Sequence, residues 1–489
     1  MTIRHPGETG HPQTGRATAR EPNDYLLYAL LALVLLAPLP LASNRPLPAA
    51  LVALAAGLLL AWWSIRTLRQ GVTLPVPLAQ LQLPLALFGF TCVWILIQWS
   101  PWTPVAWHHP VWQQTADVLG TPIAGRITVN PDATMTTFMH LLSYAAIFWL
   151  GLQLNAQRSA AQQSIIILIA GGSLYALYGL IIYLSGNQTV LIFQKWAYHS
   201  SLTSTFVNRN SYATYTGLCL IAAVGLMVHR IQPILRMPGP RRRKTAELVD
   251  YIFGKETLLS IAIVILASTL MLTLSRAGFF TSILGVATTF FLMLGMKYFK
   301  KRQGLVIVGA VILVMLGIFM LSGDEITERY LQEDALVTEN ARWPVYRLIL
   351  TAIGDAPFWG TGYGTFPDIF TGYRDTYVTT VGVWDKAHNT YLENMLELGL
   401  PAALSLNAAI ALLAWQALQG ARRRRRGRLY PAIAAGATLT VGLHALVDFS
   451  LQIPAVALTY ALLLGIGVAH SRRHQEVKQE TEQIKSPAA

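Results

Sequence analysis

The sequence predicts an all-α integral membrane protein of about twelve transmembrane helices, because a span takes roughly 20 apolar residues and runs of that kind recur along the chain. Composition agrees. Only 12% of the 489 residues are charged and 53% are apolar, with a mean hydropathy of +0.44, whereas soluble domains carry about 25% charged residues. The net charge of +13 sits in short basic clusters between apolar runs. That is a topology signal and not a nucleic-acid surface, so no nucleic-acid partner is expected. Cys92 and Cys219 both lie inside apolar runs, which argues against a disulfide framework or a cysteine metal site.

Residues 1–24 are polar and rich in Gly, Pro, Thr and Arg. They read as a disordered cytoplasmic tail without a signal-peptide cleavage site. The predicted spans then run 25–42, 47–65, 80–98, 137–154, 162–184, 211–229, 258–274, 277–296, 304–321, 389–418, 431–449 and 453–470. Pro38, Pro40, Pro46 and Pro48 interrupt the first pair, which makes it the weakest. Residues 25–470 form one polytopic membrane domain with a loop, 322–388, inserted in it, and 471–489 form a C-terminal tail.

Orientation follows from Lys and Arg in the short loops. With the N-terminus cytoplasmic, Arg66 and Arg69, Arg158, Arg241 to Lys244, Lys297 to Arg302, Arg422 to Arg426, and Arg472 with Arg473 all fall inside. Both termini are then cytoplasmic. Three longer segments fall outside. Residues 99–136 carry Trp99, Trp102, Trp107 and Trp112, whose amphipathic rings suit the headgroup level. Residues 185–210 run through Lys195 and Trp196 to Arg209, and 322–388 is the longest non-apolar interval after the tail. Within this last segment, Ile326 to Ala356 reads as mostly helical. Asn340 is a possible cap, Pro344 falls in a first turn, and Tyr330, Trp343, Tyr346 and Leu350 form a membrane-facing stripe. Pro357 and Gly360, Gly362 and Gly364 then break the helix. The segment is expected to act as a mobile cover over an outer-face site.

Cations are scarce outside, so those at span ends need a reason. Arg209 precedes one span, Arg276 sits in the hairpin Leu274-Ser275-Arg276-Ala277-Gly278, and Arg342 and Arg347 lie on the loop helix. A single arginine at a span end commonly snorkels to the headgroups. Several that converge on one cleft suit phosphate oxygens, because the guanidinium fork is bidentate and permanently charged. A lipid-carrier pyrophosphate at the membrane surface is such an anion. His388 places an imidazole at the same level; the alternatives are a general base for an acceptor hydroxyl and a hydrogen-bonding filler beside a helix capped by Asn389. Glu393 and Glu397 follow one and two turns below, and His444 and Asp448 have i, i+4 spacing for a shared helix face. Both pairs read more naturally as buried polar contacts than as catalysts.

Other chemistries lack their signatures. Gly360-Thr361-Gly362-Tyr363-Gly364 has no following Lys and is neither a phosphate loop nor a dinucleotide turn. His108 and His109 have no acid or Cys at ligand spacing, and the outer segments show no Asp-x-Asp pair for a divalent metal. No metal or other cofactor is expected.

Four stretches in this order resemble the O-antigen ligase and polymerase superfamily: Ser204 to Ala213, containing Asn208-Arg209-Asn210; Thr273 to Gly278; Arg342-Trp343 with Pro357 and the glycine turn to Phe366; and His388-Asn389-Thr390-Tyr391-Leu392 with Glu397-Leu398-Gly399. The resemblance covers residues 204–400. It implies a multi-span glycosyltransferase of GT-C type in the bacterial inner membrane. Such an enzyme moves a glycan from undecaprenyl diphosphate to an acceptor hydroxyl at the periplasmic face, with inversion. Carried onto this chain, Arg209 and Arg276 hold the lipid pyrophosphate, Arg342 assists from the loop, and His388 is the candidate catalytic base or acceptor-orienting group. Asn208, Asn210, Ser275, Asn389 and Glu397 support them. The acceptor is lipid A-core if the chain is a ligase, which is favoured, and a growing glycan if it is a polymerase; protein glycosylation is a further variant. A transporter or lipid flippase is the different-class alternative, disfavoured because ionisable residues gather at one face instead of the midplane.

Overall fold

The computed structural model describes residues 23–71, 73–294, 342–375, 378, 384–424 and 427–472. Its helices are α1 Asn23–Leu36, α2 Pro46–Gln70, α3 Gln82–Trp99, α4 Val111–Leu119, α5 Pro131–Leu154, α6 Arg158–Leu184, α7 Arg209–Arg236, α8 Arg241–Asp250, α9 Thr257–Leu272, α10 Arg276–Leu294, α11 Arg342–Asp355, α12 Phe366–Tyr373, α13 Thr390–Arg423, α14 Leu429–His444 and α15 Pro454–Ala469. A small antiparallel hairpin, β1 Thr189–Val190 with β2 Phe193–Gln194, interrupts them. The chain is an all-α multi-pass membrane protein. Among the described residues, 7 helices are long and apolar enough to cross a membrane, or up to 8 if the bent α8–α9 pair is one span.

Every predicted apolar run falls on a helix except 304–321, which lies outside the described residues, as do 1–22 and 473–489. The expectation of about twelve full-length spans is not met among the described residues. Helices α9, α14 and α15 have 16 residues each. At about 1.5 Å per residue that is roughly 24 Å, short of a hydrocarbon core of about 30 Å. The first predicted span, 25–42, stops at Leu36: Pro38 and Pro40 follow, and Leu41, Ala42 and Ser43 take positive φ in a tight 3-10 turn.

Packing relies on small residues, as expected where lipid removes the hydrophobic drive between helices. A Cβ on Gly436 of α14 would lie 2.5 Å from the Gly285 carbonyl oxygen of α10, and one on Gly285 2.7 Å from that of Gly436. Helices α5 and α15 approach in the same way, with Gly465 against the Phe148 carbonyl and Gly151 against Leu462. Helix α7 is the centre of the bundle. Its residues from Ser211 through Ala223 are all buried, and Tyr212 and Tyr215 pack on Phe206.

Long-range hydrogen bonds sort the helix ends into two layers. One layer joins Thr205 to Pro38, Leu202 to Leu272, Asn210 to Asp448 and Thr390 to Ala445. The other joins Val76 to Gln153, His470 to Asn155 and Tyr430 to Arg158. The two layers lie at opposite ends of the bundle.

The inserted loop departs from its expected role. From Arg342 through Tyr373 it packs onto α13 around a core of Val345, Ile349, Phe366, Phe370, Trp384 and Leu396. Buried apolar contact of this extent makes the described part a fixed platform and not a mobile cover. The predicted helix Ile326 to Ala356 corresponds to α11 in its described part, with Pro344 in the first turn; Tyr330 and Asn340 lie outside the described residues. Trp343 and Leu350 are exposed as the stripe requires, but Tyr346 turns inward and donates to the His388 carbonyl at 2.8 Å.

Candidate functional site

Helix α7 begins where its cap dictates. The Asn208 side-chain oxygen accepts from the N–H groups of Asn210 at 2.7 Å and Ser211 at 3.2 Å, so Arg209 is the first helical residue. Its Nη1 donates to Ser201 Oγ at 3.3 Å, and its guanidinium lies 5.4 Å over the ring of Tyr198. Tyr198 is held by Asn208 Nδ2, which donates to the phenol oxygen at 3.1 Å. Arg209 Nε is buried with no hydrogen-bond partner among the described residues.

Helix α10 begins similarly. Ser275 Oγ accepts from Gly278 N–H at 3.3 Å, and Leu274 takes φ 54° to tighten the hairpin. Arg276 is therefore the first residue of α10, as Arg209 is of α7. Gly278 packs where a Cβ would sit 2.6 Å from the Ala213 methyl, so the two helices start at one level. Helix N-termini carry a positive dipole end and unfilled N–H groups. Two of them, each led by an arginine, lie side by side at one end of the bundle.

His388 joins this neighbourhood through α14. Asn210 Nδ2 donates to Asp448 at 2.8 Å, and one turn along α7 Thr214 Oγ1 lies 2.6 Å from His444 Nδ1. The expected shared helix face of His444 and Asp448 is not formed, because α14 ends at His444 and Asp448 lies in the turn beyond. Both are buried and both bond α7, the polar-contact role that their burial favours. Phe449, next to Asp448, packs against the His388 ring at 4.9 Å, and Trp384 meets that ring at 6.1 Å. Thr390 ties the start of α13 to the same turn, through its N–H to Ala445 and its hydroxyl to the Asp448 carbonyl. His388 has φ 52°, an uncommon left-handed conformation costing about 1–3 kcal/mol. Asn389 behind it caps α13, accepting from Tyr391 and Leu392.

Other expected residues are not brought to this point. Glu397, expected to support the site, lies two turns down α13 and accepts from Phe366 N–H at 2.9 Å. Its carbonyl takes the Gly362 N–H and the Gln98 amide. It anchors the glycine turn, where Gly360, Gly362 and Gly364 all have positive φ and lie too close to neighbours for a side chain. Glu393 accepts from Ala387 N–H and pairs with Lys386 at 3.5 Å. Burial acts against the Lys386 ammonium, but the carboxylates of Glu393, Glu397 and Asp385 outweigh it and hold the pKa above its ordinary value. Arg342 opens α11, and its side chain lies outside the described residues; Arg347 is exposed.

Lys195 is a residue that sequence reasoning missed. The hairpin turns the chain so that Lys195 N–H donates to Gln188 at 2.8 Å and its Nζ to the Ser201 carbonyl at 2.6 Å. Lys195 and Arg209 thus hold two oxygens of one serine. Burial lowers the Lys195 pKa to about 8. The only signal in the sequence is that Lys195 is a cation in an outer segment, where cations are few.

The O-antigen ligase family matches residues 261–407, from α9 to the middle of α13. The match lies across the Arg276 hairpin, α11, the glycine turn and His388, and it carries the resemblance to the O-antigen ligase and polymerase superfamily. It supports an activity of ligase or polymerase type on lipid-linked glycans in general. No curated protein matches the chain.

Proposed function

We propose, from that resemblance and from the geometry of these helix starts, that the protein is a glycosyltransferase of GT-C type. It transfers a glycan from undecaprenyl diphosphate to an acceptor hydroxyl at the periplasmic face of the bacterial inner membrane. The observation that carries the reading is that Arg209 and Arg276 open two adjacent helices at one level, while the Asn210–Asp448 bond and Phe449 link that level to His388. The acceptor oxygen attacks the anomeric carbon as the bond to the diphosphate oxygen breaks. The bonding pair leaves with the lipid diphosphate, and the acceptor proton passes to His388. One direct displacement inverts the anomeric centre. The leaving group is already activated, so catalysis consists of positioning the reactants and stabilising charge on the departing diphosphate. Both arginines stand where helix dipoles add to that stabilisation.

Lipid A-core is the favoured acceptor, which makes the protein an O-antigen ligase; a growing glycan, which makes it a polymerase, is the second reading. The transport alternative loses support at the break in α13. Gly399 has φ 75° there, but the polar groups around the break are bonded internally, by Phe366, Thr361, Gly362 and Gln98. A substrate pathway would instead present such groups to a cavity. The test incubates purified protein with lipid-linked glycan, with and without lipid A-core. An acceptor-dependent product means ligase, a glycan ladder without acceptor means polymerase, and no product in either lane overturns the enzyme reading.

A further inference from the structure

We propose that Lys195 is a further cation of the diphosphate site, acting with Arg209 across Ser201 on the phosphate oxygens of a prenyl diphosphate. This deepens the preceding reading and rests on it, since it takes Arg209 to face the lipid diphosphate. The geometry is a pair of cations on one residue: Lys195 Nζ on the Ser201 carbonyl at 2.6 Å and Arg209 Nη1 on its hydroxyl at 3.3 Å. An ammonium has three donors and a guanidinium five, so both half-buried side chains retain N–H groups beyond the one each gives to Ser201. Among the described residues neither makes an ion pair with a carboxylate. Two neighbouring cations without a counter-charge repel each other, and an anion of two or more charges removes that cost.

The charged and titratable groups on the surrounding elements fit this reading. They are Arg209 of α7, Tyr198 and His199 of the same loop, and Tyr178 of α6, whose phenol accepts from Leu191 N–H. Arg45 lies 5.4 Å over Trp196, and Arg276 opens α10 beyond Leu202. Asp448 is the nearby carboxylate, and Asn210 and Ser450 occupy it. The lowered pKa of Lys195 has the direction expected of a partly buried lysine with no counter-charge. A bound diphosphate supplies that charge and draws the lysine back to its protonated form. Loop anchorage alone does not need the ammonium, because Lys195 N–H already bonds Gln188.

The test measures farnesyl diphosphate binding to the full-length protein in nanodiscs at pH 7.5 and 9.5, where a phosphate with a second pKa of about 6 is fully ionised at both values. A lysine titrating near 8 when free and protonated when bound should weaken wild-type binding by about 20-fold over that interval. K195R, which stays charged, should bind well at both pH values, and K195M should bind weakly at both with no pH step. If K195M matches the wild type in affinity and pH profile while R209A loses binding, the Lys195 assignment falls and the arginine site stands. If R209A binds like the wild type, the underlying site reading falls. Equal displacement of the probe by phosphatidylglycerol overturns the diphosphate assignment.

Discussion

The start of α7 and the break in α13 are both polar regions inside an apolar bundle, and they settle their charges in opposite ways. At the α13 break, Glu397 receives a backbone N–H from the glycine turn and Glu393 is paired with Lys386. There each carboxylate has a partner within the chain. At α7, Arg209 rests on a hydroxyl and an aromatic face, Lys195 on a carbonyl, and neither meets an acid among the described residues. The contrast is between a polar region whose carboxylates are engaged inside the fold and one whose half-buried cations meet no acid, the feature on which the proposed anion site rests.

The comparison is broken most directly by removing the arginines. R209A and R276A should each lower glycan transfer about 100- to 1,000-fold, the range for loss of one preorganised donor to a developing anion. Membrane insertion and thermal stability should be nearly unchanged. Wild-type turnover in both variants would sink the assignment. The converse holds at the glycine turn. A Cβ on Gly362, at φ 108°, would clash with Thr128, so G362A should destabilise by about 1–3 kcal/mol, as overpacking does. A lowered melting temperature measures this, and transfer by the protein that remains folded should persist. Lysine in place of Arg209 should cost less than alanine, roughly tenfold, because a point charge keeps the attraction but loses the fork; steady-state kinetics would show it. D448N should have the smallest effect, a few-fold in transfer, since it retains an oxygen for Asn210 and sits behind the arginine.

Most of the fold was legible in the sequence, and much of the site was not. Apolar runs are local signals, and each one in the described residues became a helix. Asn208 and Asn389 cap their helices, and Ser275 opens the Arg276 hairpin, because a cap is chosen by residues two or three positions away. Lys195 escaped notice because its contact with Ser201 depends on the irregular fold of the loop 196–200, which carries no periodic signal. Glu397 was expected as a supporting residue through the family resemblance; its buried-contact reading, two turns below His388, is the one its bond to Phe366 N–H fits. The long loop read as a cover because a polar interval resembles a surface loop; only its aromatic and aliphatic packing onto α13 shows it to be a platform.

By itself, the sequence determined that this chain carries repeated membrane-crossing runs, and it supplied the expectation of which loops share a side and which cations stand at the outer ends of spans. Hydropathy and charge act residue by residue against a planar solvent, so those answers need no knowledge of neighbours. Only the tertiary structure decided which outer groups meet. The bond from Asn210 to Asp448 spans 238 residues, and the contact of Phe449 with His388 depends on α13 and α14 docking beside α7. Small residues allow that approach, as where Gly225 of α7 packs against Ile433 of α14. Shape complementarity between distant helices leaves no local mark, and it is what brings the starts of α7 and α10 to one level.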